Sequence, residues 1–298
     1  MTVVVLAGGT GGAKLARGMV DVVGAEQVVV VANTADDVEI YGAHVSPDPD
    51  LVLFWLADRI NDRGWGLEGD TFHAMDRLRT RGEEVWFNLG DEDLEICRDR
   101  ARRLAGGETL TEAIDALRAT LGVNTRVLPM TDAPVRTVID GTPFQEWMIR
   151  AGGKAGAVAP QVIELEGLEA ASVTEAVVEA VASAEAVIIG PSNPVISIGP
   201  ILGVAGMAEA LEASPVVAIS PFVRGQILKG PTAGCLRALG FTADTAGAAE
   251  FYAGRLDGFV ADERVDGLPV LVTDVLMDGA AGRARLAREA LEFARGLA

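Results

Sequence analysis

The sequence predicts an α/β fold, a Rossmann-like three-layer sandwich with a mostly parallel sheet and a helical insertion. Two patterns predict it. The runs TVVVLA (Thr2 to Ala7), QVVVVAN (Gln27 to Asn33), AVIIG (Ala186 to Gly190) and PVVAIS (Pro215 to Ser220) are continuously apolar rather than alternating, as strands covered on both faces of a parallel sheet are. Segments of helical spacing lie between them, and that alternation of periods marks βαβ units. Residues 1–298 are expected to form a single domain, with the helical insertion at about 51–125.

The elements follow in order. Thr2 to Ala7 is the first strand, a Gly-rich turn follows, and Ala13 to Val23 has apolar residues at helical spacing before the strand Gln27 to Asn33. Helices are expected near Leu51 to Arg59, Thr71 to Arg81, Leu94 to Leu104 and Leu110 to Leu121. Val127 to Arg150 carries two strand-like runs, VRTVI and TPFQEWMI, about Asp140-Gly141, a hairpin signal. The helix Val173 to Ala182 precedes the strand Ala186 to Gly190. Val270 to Asp274 reads as the last strand and Gly282 to Leu297 as a closing amphipathic helix. The Ala/Gly-rich stretches Ala151 to Ala159 and Ala243 to Ala249 are too short for linkers.

Charge and composition exclude several functions. The chain has 298 residues, with 25 Lys plus Arg against 43 Asp plus Glu, a formal charge of −18. Such a chain lacks the basic stripe that nucleic-acid backbones require, so nucleic acid is not an expected partner. Its apolar content of 49% is that of a globular protein. No apolar run approaches the roughly 20 residues of a membrane span, and Met1 leads straight into a strand-like run without a basic start, so a cytoplasmic protein is expected. Cys97 and Cys235 make no disulfide framework and read as small buried hydrophobes. With only His44 and His73, a three-His zinc site is excluded, and any metal must be held by oxygen.

Four constellations can carry chemistry. The turn Gly8-Gly9-Thr10-Gly11-Gly12-Ala13-Lys14 lets backbone N–H groups approach an anion at a helix N-terminus. It matches neither the Walker pattern nor GxGxxG, and a tight turn without ligand is the competing reading. Asn33-Thr34-Ala35-Asp36-Asp37 ends the second strand and Ser46-Pro47-Asp48-Pro49-Asp50 follows, so four carboxylates gather where open α/β sheets bind ligands. A hard divalent cation such as Mg²⁺, bridging carboxylates and phosphate oxygens, accounts for both sites together. Helix capping and a solvated Pro-rich turn are the alternative. Gly190 to Pro200 is a stiff loop presenting Ser192, Asn193 and Ser197, or an ordinary crossover. Ser220 to Pro231 offers Arg224 and Lys229 to an anion, or simply to solvent.

Taken together, LAGGTGGAKLARG, NTADDVEIYGAHVSPDPD, RGWGLEGDTFHAMDRL, WFNLGDEDL, LPMTDAPVRT, FQEWMIR, GPSNPVISIGPIL, SPFVRGQILKGPTAG and VTDVLM resemble the 2-phospho-L-lactate transferase family of coenzyme F-420 biosynthesis. These segments span nearly the whole chain, in the family's order and spacing. The resemblance implies a Mg²⁺-dependent transfer. A phospho-acid (phospholactyl, phosphoenolpyruvyl or similar) passes from a guanylyl diphosphate donor to the ribityl hydroxyl of a deazaflavin acceptor, 7,8-didemethyl-8-hydroxy-5-deazariboflavin, releasing GMP. It further implies Asp36 and Asp48 as metal ligands, with Asp37 and Asp50 close by, and one of the four as acceptor of the ribityl proton. Gly8, Gly9, Thr10, Gly11, Gly12, Lys14, Ser192, Asn193 and Pro194 would line the donor site, and Asn33, Trp65, Phe144 and Trp147 the acceptor site, core packing being the competing role for the aromatics. A homodimer is expected.

The chain also departs from the family pattern. The usual DLATHI is Asp93-Leu94-Glu95-Ile96-Cys97-Arg98, the Thr after SPDxD is Leu51, and SPxVGGK reads SPFVRGQ, with Arg224 and Gln226. These changes leave the four Asp in place and open the question of which acid the donor carries. The competing reading is a non-enzymatic nucleotide-sugar-binding regulator of the same fold. The RGWG, WFNLGD and FQEW segments favour the transferase. A nicotinamide dehydrogenase ranks last, lacking the third Gly and the single acidic residue of that motif.

Overall fold

In the computed structural model, which describes residues 2–150 and 159–298, the core is a seven-stranded parallel sheet. Its strands are β1 (Thr2–Ala7), β2 (Val28–Ala32), β3 (Arg126–Pro129), β4 (Ala184–Ile189), β5 (Val216–Ile219), β6 (Gly258–Ala261) and β7 (Val270–Val272). They lie side by side as β7-β6-β5-β4-β1-β2-β3, with Val5 of β1 opposite Val30 on one side and Ile188 on the other. The chain builds outward from β1 to β3, then returns to add β4 to β7 on the other flank. Strand order therefore reverses between β1 and β4, and it is beyond the carboxyl ends at such a reversal that open α/β sheets bind ligands.

Strand pleating sends alternate side chains to opposite faces. Val3, Val5, Val28, Val30 and Ile188 pack on Leu15 and Met19 of helix α1 (Gly9–Val23) and on Leu286 and Leu291 of the C-terminal helix Gly279–Arg295. Val4, Leu6, Val29, Val31 and Val187 face the other layer, with Val177, Val181, Ile198 and Leu236. Each fully buried Val or Leu contributes about 1.5–3 kcal/mol relative to exposure. Both faces are covered, which is why the strands read as continuous apolar runs.

Between β2 and β3 come a short hairpin, Val38–Ile40 with Ala43–Val45, and the helices α2 (Pro47–Leu56), α3 (His73–Thr80), α4 (Asp91–Ala105) and α5 (Leu110–Thr120). The hairpin, α3 and α4 enclose a small core of Ala43, Val45, Met75, Leu94 and Cys97. Two carboxylates lock this region by capping helix starts from a distance. Asp91 accepts from the N–H groups of His73 and Ala74 at 2.9 and 2.8 Å, and Asp70 accepts from those of Glu92 and Asp93 at 2.9 and 3.1 Å. Each satisfies donors that a helix start leaves orphaned.

Three expectations need correction. Phe144–Arg150 is a helix, and only Thr142–Pro143 pairs with Arg136–Ile139 across Asp140-Gly141. Its apolar residues Phe144, Trp147 and Met148 recur at helical spacing, and Arg150 Nε bonds Glu146 one turn back at 2.6 Å. Helix α1 begins at Gly9, so Gly9, Gly11 and Gly12 form its first turn rather than a separate turn before Ala13. The strands β3 and β6 stood out poorly because RVLP and GFVA are short and interrupted by Arg, Pro or Gly. Of the Ala/Gly-rich stretch 151–159, all but Ala159 lies outside the described residues.

Helix α1 rests directly on the sheet because Gly12 has no side chain. A Cβ there would sit 2.8 Å from both Cα and Cβ of Ala7, and one on Gly190 would sit 2.8 Å from the Gly12 Cα. Gly12→Ala is therefore expected to lower stability by roughly 1–3 kcal/mol, seen as a lower urea midpoint with an unchanged slope. A midpoint equal to that of the unsubstituted protein would show slack between helix and strand.

Candidate active site

The loops leaving β1, β2 and β4 meet at the reversal point. Asn33 N–H donates to the Ala7 carbonyl at 3.0 Å, and Gly190 N–H to that of Leu6 at 2.9 Å. Ser192 Oγ donates to the Gly8 carbonyl at 2.6 Å and accepts from the Gly8 N–H at 3.3 Å. Asn193 Oδ1 accepts from the N–H groups of Val195 and Ile196 at 2.9 and 3.4 Å, starting the short turn Pro194–Ile198 with Pro194 at its head. Ser192, Asn193 and Pro194 thus hold their loop against Gly8. Asn193 Nδ2 is buried with no hydrogen-bond partner among the described residues.

Glycine is required at the start of α1 for two reasons. Gly9 has φ +63 and open space where a Cβ would stand, whereas a Cβ on Gly8 would meet Ser197 Cβ at 2.5 Å and Asp48 Oδ2 at 3.0 Å. Asp48 therefore lies hard against the helix start. Its Oδ1 accepts from the Gly9 N–H at 2.7 Å and its Oδ2 from Asn33 Nδ2 at 3.0 Å. Asn33 is held in turn through Oδ1, which accepts from the Ala35 N–H at 3.0 Å. Sequence pattern alone does not show that a residue on α2 caps α1.

Asp36 and Asp48 are each 6% exposed. Burial raises the Asp48 carboxyl to about 6, although its Asn33 and Gly9 bonds pull the other way. Asp36 is raised well above the usual carboxylate range, first by burial and then by the charge of Asp48. Asp36 Oδ1 is buried with no hydrogen-bond partner among the described residues. Two buried carboxylates that oppose each other's ionisation, one with an unmatched oxygen, are relieved by a cation between them. The donors are all oxygen, and the helix start beside them favours anions, so this pair fits a hard cation such as Mg²⁺ completed by water and phosphate oxygens.

Asp37 and Asp50 have other commitments. Asp37 accepts from Ser46 Oγ at 2.8 Å and bonds His44 Nε2 at 2.9 Å, while His44 Nδ1 lies 3.0 Å from Glu39. Burial lowers the His44 pKa, but its bonds to Asp37 and Glu39 outweigh that and raise it to about 9. Asp50 forms a buried two-point ion pair with Arg100, which also donates to the His44 carbonyl at 3.0 Å. Behind this pair, Asp93 and Cys97 lie close to Asp50. Asp93 is raised to about 7 by burial and by the charges of Asp50 and Asp70. Arg100 and Asp93 went unrecognised in the sequence because Asp50, which both approach, is far along the chain, and His44 because its bonds to Asp37 and Glu39 form only when the hairpin folds back. Arg100 in particular is one Arg among several in α4.

The aromatic residues fall in different settings. Phe144 is buried in the layer that includes Ile139, and Trp147 packs against it. Trp65 is 63% exposed in the loop after α2, and its neighbour Gly64 faces Thr10 and Lys229. Lys14 Nζ stands 5.7 Å over the Trp55 ring, which Arg283 also covers at 5.2 Å.

A family model described as 2-phospho-L-lactate transferase CofD matches residues 3–273. The 2-phospho-L-lactate transferase of Methanosarcina acetivorans is 38% identical, over 88% of this chain and 86% of its own. That of Methanopyrus kandleri is 38% identical over 98% and 97%. The phosphoenolpyruvate transferase of Thermobifida fusca is 36% identical over 99% and 98%. Among solved structures, a UPF0052-family protein from Bacillus halodurans aligns with a TM-score of 0.65 over 97% of this chain and 98% of its own, at 17% identity, a likeness of fold.

Removing the cation from the buried ion pair leaves Asp50 uncompensated, so Arg100→Leu is expected to lose roughly 3–5 kcal/mol in chemical denaturation. A loss under about 1 kcal/mol, typical of exposed pairs, would show that the pair is not buried in solution. His44 titrates at about 9 against an ordinary 6.5, so its stabilisation is complete below 6.5 and lost as pH rises through about 9. His44→Gln should flatten stability against pH across that window; an unchanged slope would assign the dependence elsewhere.

Proposed function

Because the chain belongs to the 2-phospho-L-lactate transferase family, we propose that it moves a phospho-acid from a guanylyl diphosphate donor to the ribityl hydroxyl of 7,8-didemethyl-8-hydroxy-5-deazariboflavin, releasing GMP, in coenzyme F-420 biosynthesis. The observation that carries this reading is the buried Asp36 and Asp48 pair against the start of α1. The acid is phospholactyl, phosphoenolpyruvyl or a close analogue, since relatives named for the first two match this chain about equally well.

In this reading the terminal ribityl oxygen forms a bond to the phosphorus bearing the acid, and the bond from that phosphorus to the bridging oxygen of GMP breaks. The hydroxyl proton passes to a carboxylate at the site. Asp37 and Asp50 already hold His44, Ser46 and Arg100, so the proton goes to a carboxylate oxygen of the Asp36 and Asp48 pair that the metal does not hold. Asp36 and Asp48 would hold Mg²⁺, which when bound spreads the charge of the diphosphate. The Gly9 to Gly12 backbone orients the phosphates at the helix start, and the Ser192 to Pro194 loop closes the donor side. Holding donor and acceptor in line accounts for much of the rate in such a transfer.

Protein incubated with Mg²⁺, the deazaflavin and a panel of guanylyl-diphospho acids should release GMP and yield an acid-bearing deazaflavin by mass spectrometry. Tight UDP-sugar binding with no product from any donor would replace this reading with a regulatory one. Asp36→Asn and Asp48→Asn should each lower kcat on the order of 10²-fold or more with thermal midpoints retained. Near-normal rates in both variants would remove the metal assignment.

A further inference from the structure

A cluster of cations flanks α1 on the face that carries Thr10 and Lys14. Lys229 Nζ donates to the Arg63 carbonyl at 3.3 Å, which ties the loop after β5 to the loop after α2. At the point of contact, a Cβ on Gly64 would lie 3.9 Å from Thr10 Cγ2 and 4.0 Å from Lys229 Nζ. Lys14, one turn beyond Thr10, shares the Trp55 ring with Arg283 of the C-terminal helix. Three segments distant in sequence therefore bring ammonium and guanidinium groups to one helix face.

Like charges at close range are costly unless an anion joins them. Arg17 pairs with Asp21, Arg285 with Glu289 and Arg295 with Glu185, whereas Lys14, Lys229 and Arg283, like Arg63 and Arg288, have no carboxylate at ion-pair distance among the described residues; of these, Lys14, Lys229 and Arg283 are the ones that act on one another. Burial first, then the charges of Lys229 and Arg283, hold the Lys14 ammonium below its usual range, with Asp278 acting against them. Arg283 Nε is buried without a hydrogen-bond partner among the described residues. In a chain of charge −18 this is a local reversal of sign, of the kind found where a ligand supplies the missing charge.

We propose that Lys14, Lys229 and Arg283 form the anion subsite for the diphosphate of the guanylyl donor. The proposal rests on the transferase reading for the donor's identity and on the geometry for the anion. The subsite lies along α1 from the turn that Asp48 caps, so the first two turns of the helix have the Asp48 carboxylate of α2 at their start and the Lys14 ammonium beyond it. Lys14 and Lys229 are positioning residues that fix the phosphates, and Thr10 offers its hydroxyl on the same face. Trp65, next to Gly64 and largely exposed, stands at the rim of this subsite.

Calorimetry with GDP, which is the donor without its acid, tests the proposal with Mg²⁺ present throughout. Lys14→Met and Lys229→Met are each expected to weaken GDP at least about tenfold, the loss of one charge-assisted contact. Inorganic pyrophosphate should compete with GDP, Lys229→Arg should restore binding, and deazaflavin affinity should stay unchanged. Lys229 is exposed, so its substitution leaves folding intact, and Arg283→Gln provides a third, independent loss. GDP affinity within about twofold of normal in the Lys14→Met/Lys229→Met double variant overturns the subsite, as does a failure of the unsubstituted protein to bind GDP and pyrophosphate. If no donor yields product while these variants lose pyrophosphate, the transferase reading falls and the subsite stands. If transfer proceeds and the variants keep GDP affinity, the reverse holds.

Discussion

The carboxyl end of the sheet is organised by one contact, the Asp48 carboxylate against the first N–H of α1. Asp48 comes from α2, yet it caps α1 through Gly9 and is braced by Asn33 from the end of β2. Three elements thus meet on a single carboxylate. For the contact to form, Gly8 and Gly12 must lack side chains, because either Cβ would strike Ser197 or Ala7. The glycine run is therefore a packing requirement before it is a ligand requirement, and the opening it leaves at Gly9 is what a ligand can use.

A buried carboxylate cluster is stable only if its charges are matched. This molecule matches them unequally. Asp50 is neutralised by Arg100, and Asp37 by His44 and Ser46. Asp36 and Asp48 are left to hydrogen bonds alone, with one Asp36 oxygen unmatched. The paired carboxylates fix the loop, and the unmatched ones are those that the proposed cation would neutralise. Removing Arg100 or His44 disturbs the second function through the first, since Arg100 holds both Asp50 and the His44 backbone.

Much of the fold was legible because burial on both faces leaves an unmistakable trace. The runs at β1, β2, β4 and β5 are β-branched and unbroken, and the observed strands differ from the readings by at most two residues at their ends. Strands β3 and β6 escaped because Arg126 and Pro129 bound the one and Gly258 opens the other, so neither shows an unbroken β-branched run. The Phe144 helix was misread because a hairpin turn precedes it and its bulky residues mimic a strand. At the site, the glycines and the four Asp were visible as local motifs. Arg100, Trp55 and Arg283 were not, since nothing local distinguishes them from solvated or core residues until the chain folds.

Of the positions that differ from the family pattern the sequence resembles, none hydrogen-bonds Asp36 or Asp48 among the described residues. Cys97 is fully buried in the small core under α4, where burial pushes its thiol well above its usual range, so it supplies no base. Leu51 packs on α1's side of the sheet. Arg224 and Gly225 occupy the tip of the Phe222–Val223 and Gln226–Ile227 hairpin with φ of 51 and 72, so Arg replaces Gly at a left-handed position, a strain of about 1 kcal/mol. A bond from the Arg224 N–H to Asp262 offsets that strain. Gln226 removes a cation from the hairpin, whereas Lys229, three residues on, keeps its hold on the Arg63 carbonyl. The divergence thus leaves the four Asp in place and redistributes charge only on the hairpin Phe222–Val223 and Gln226–Ile227. Under the proposed transfer, a change of acid within the same phosphate chemistry is what that distribution permits.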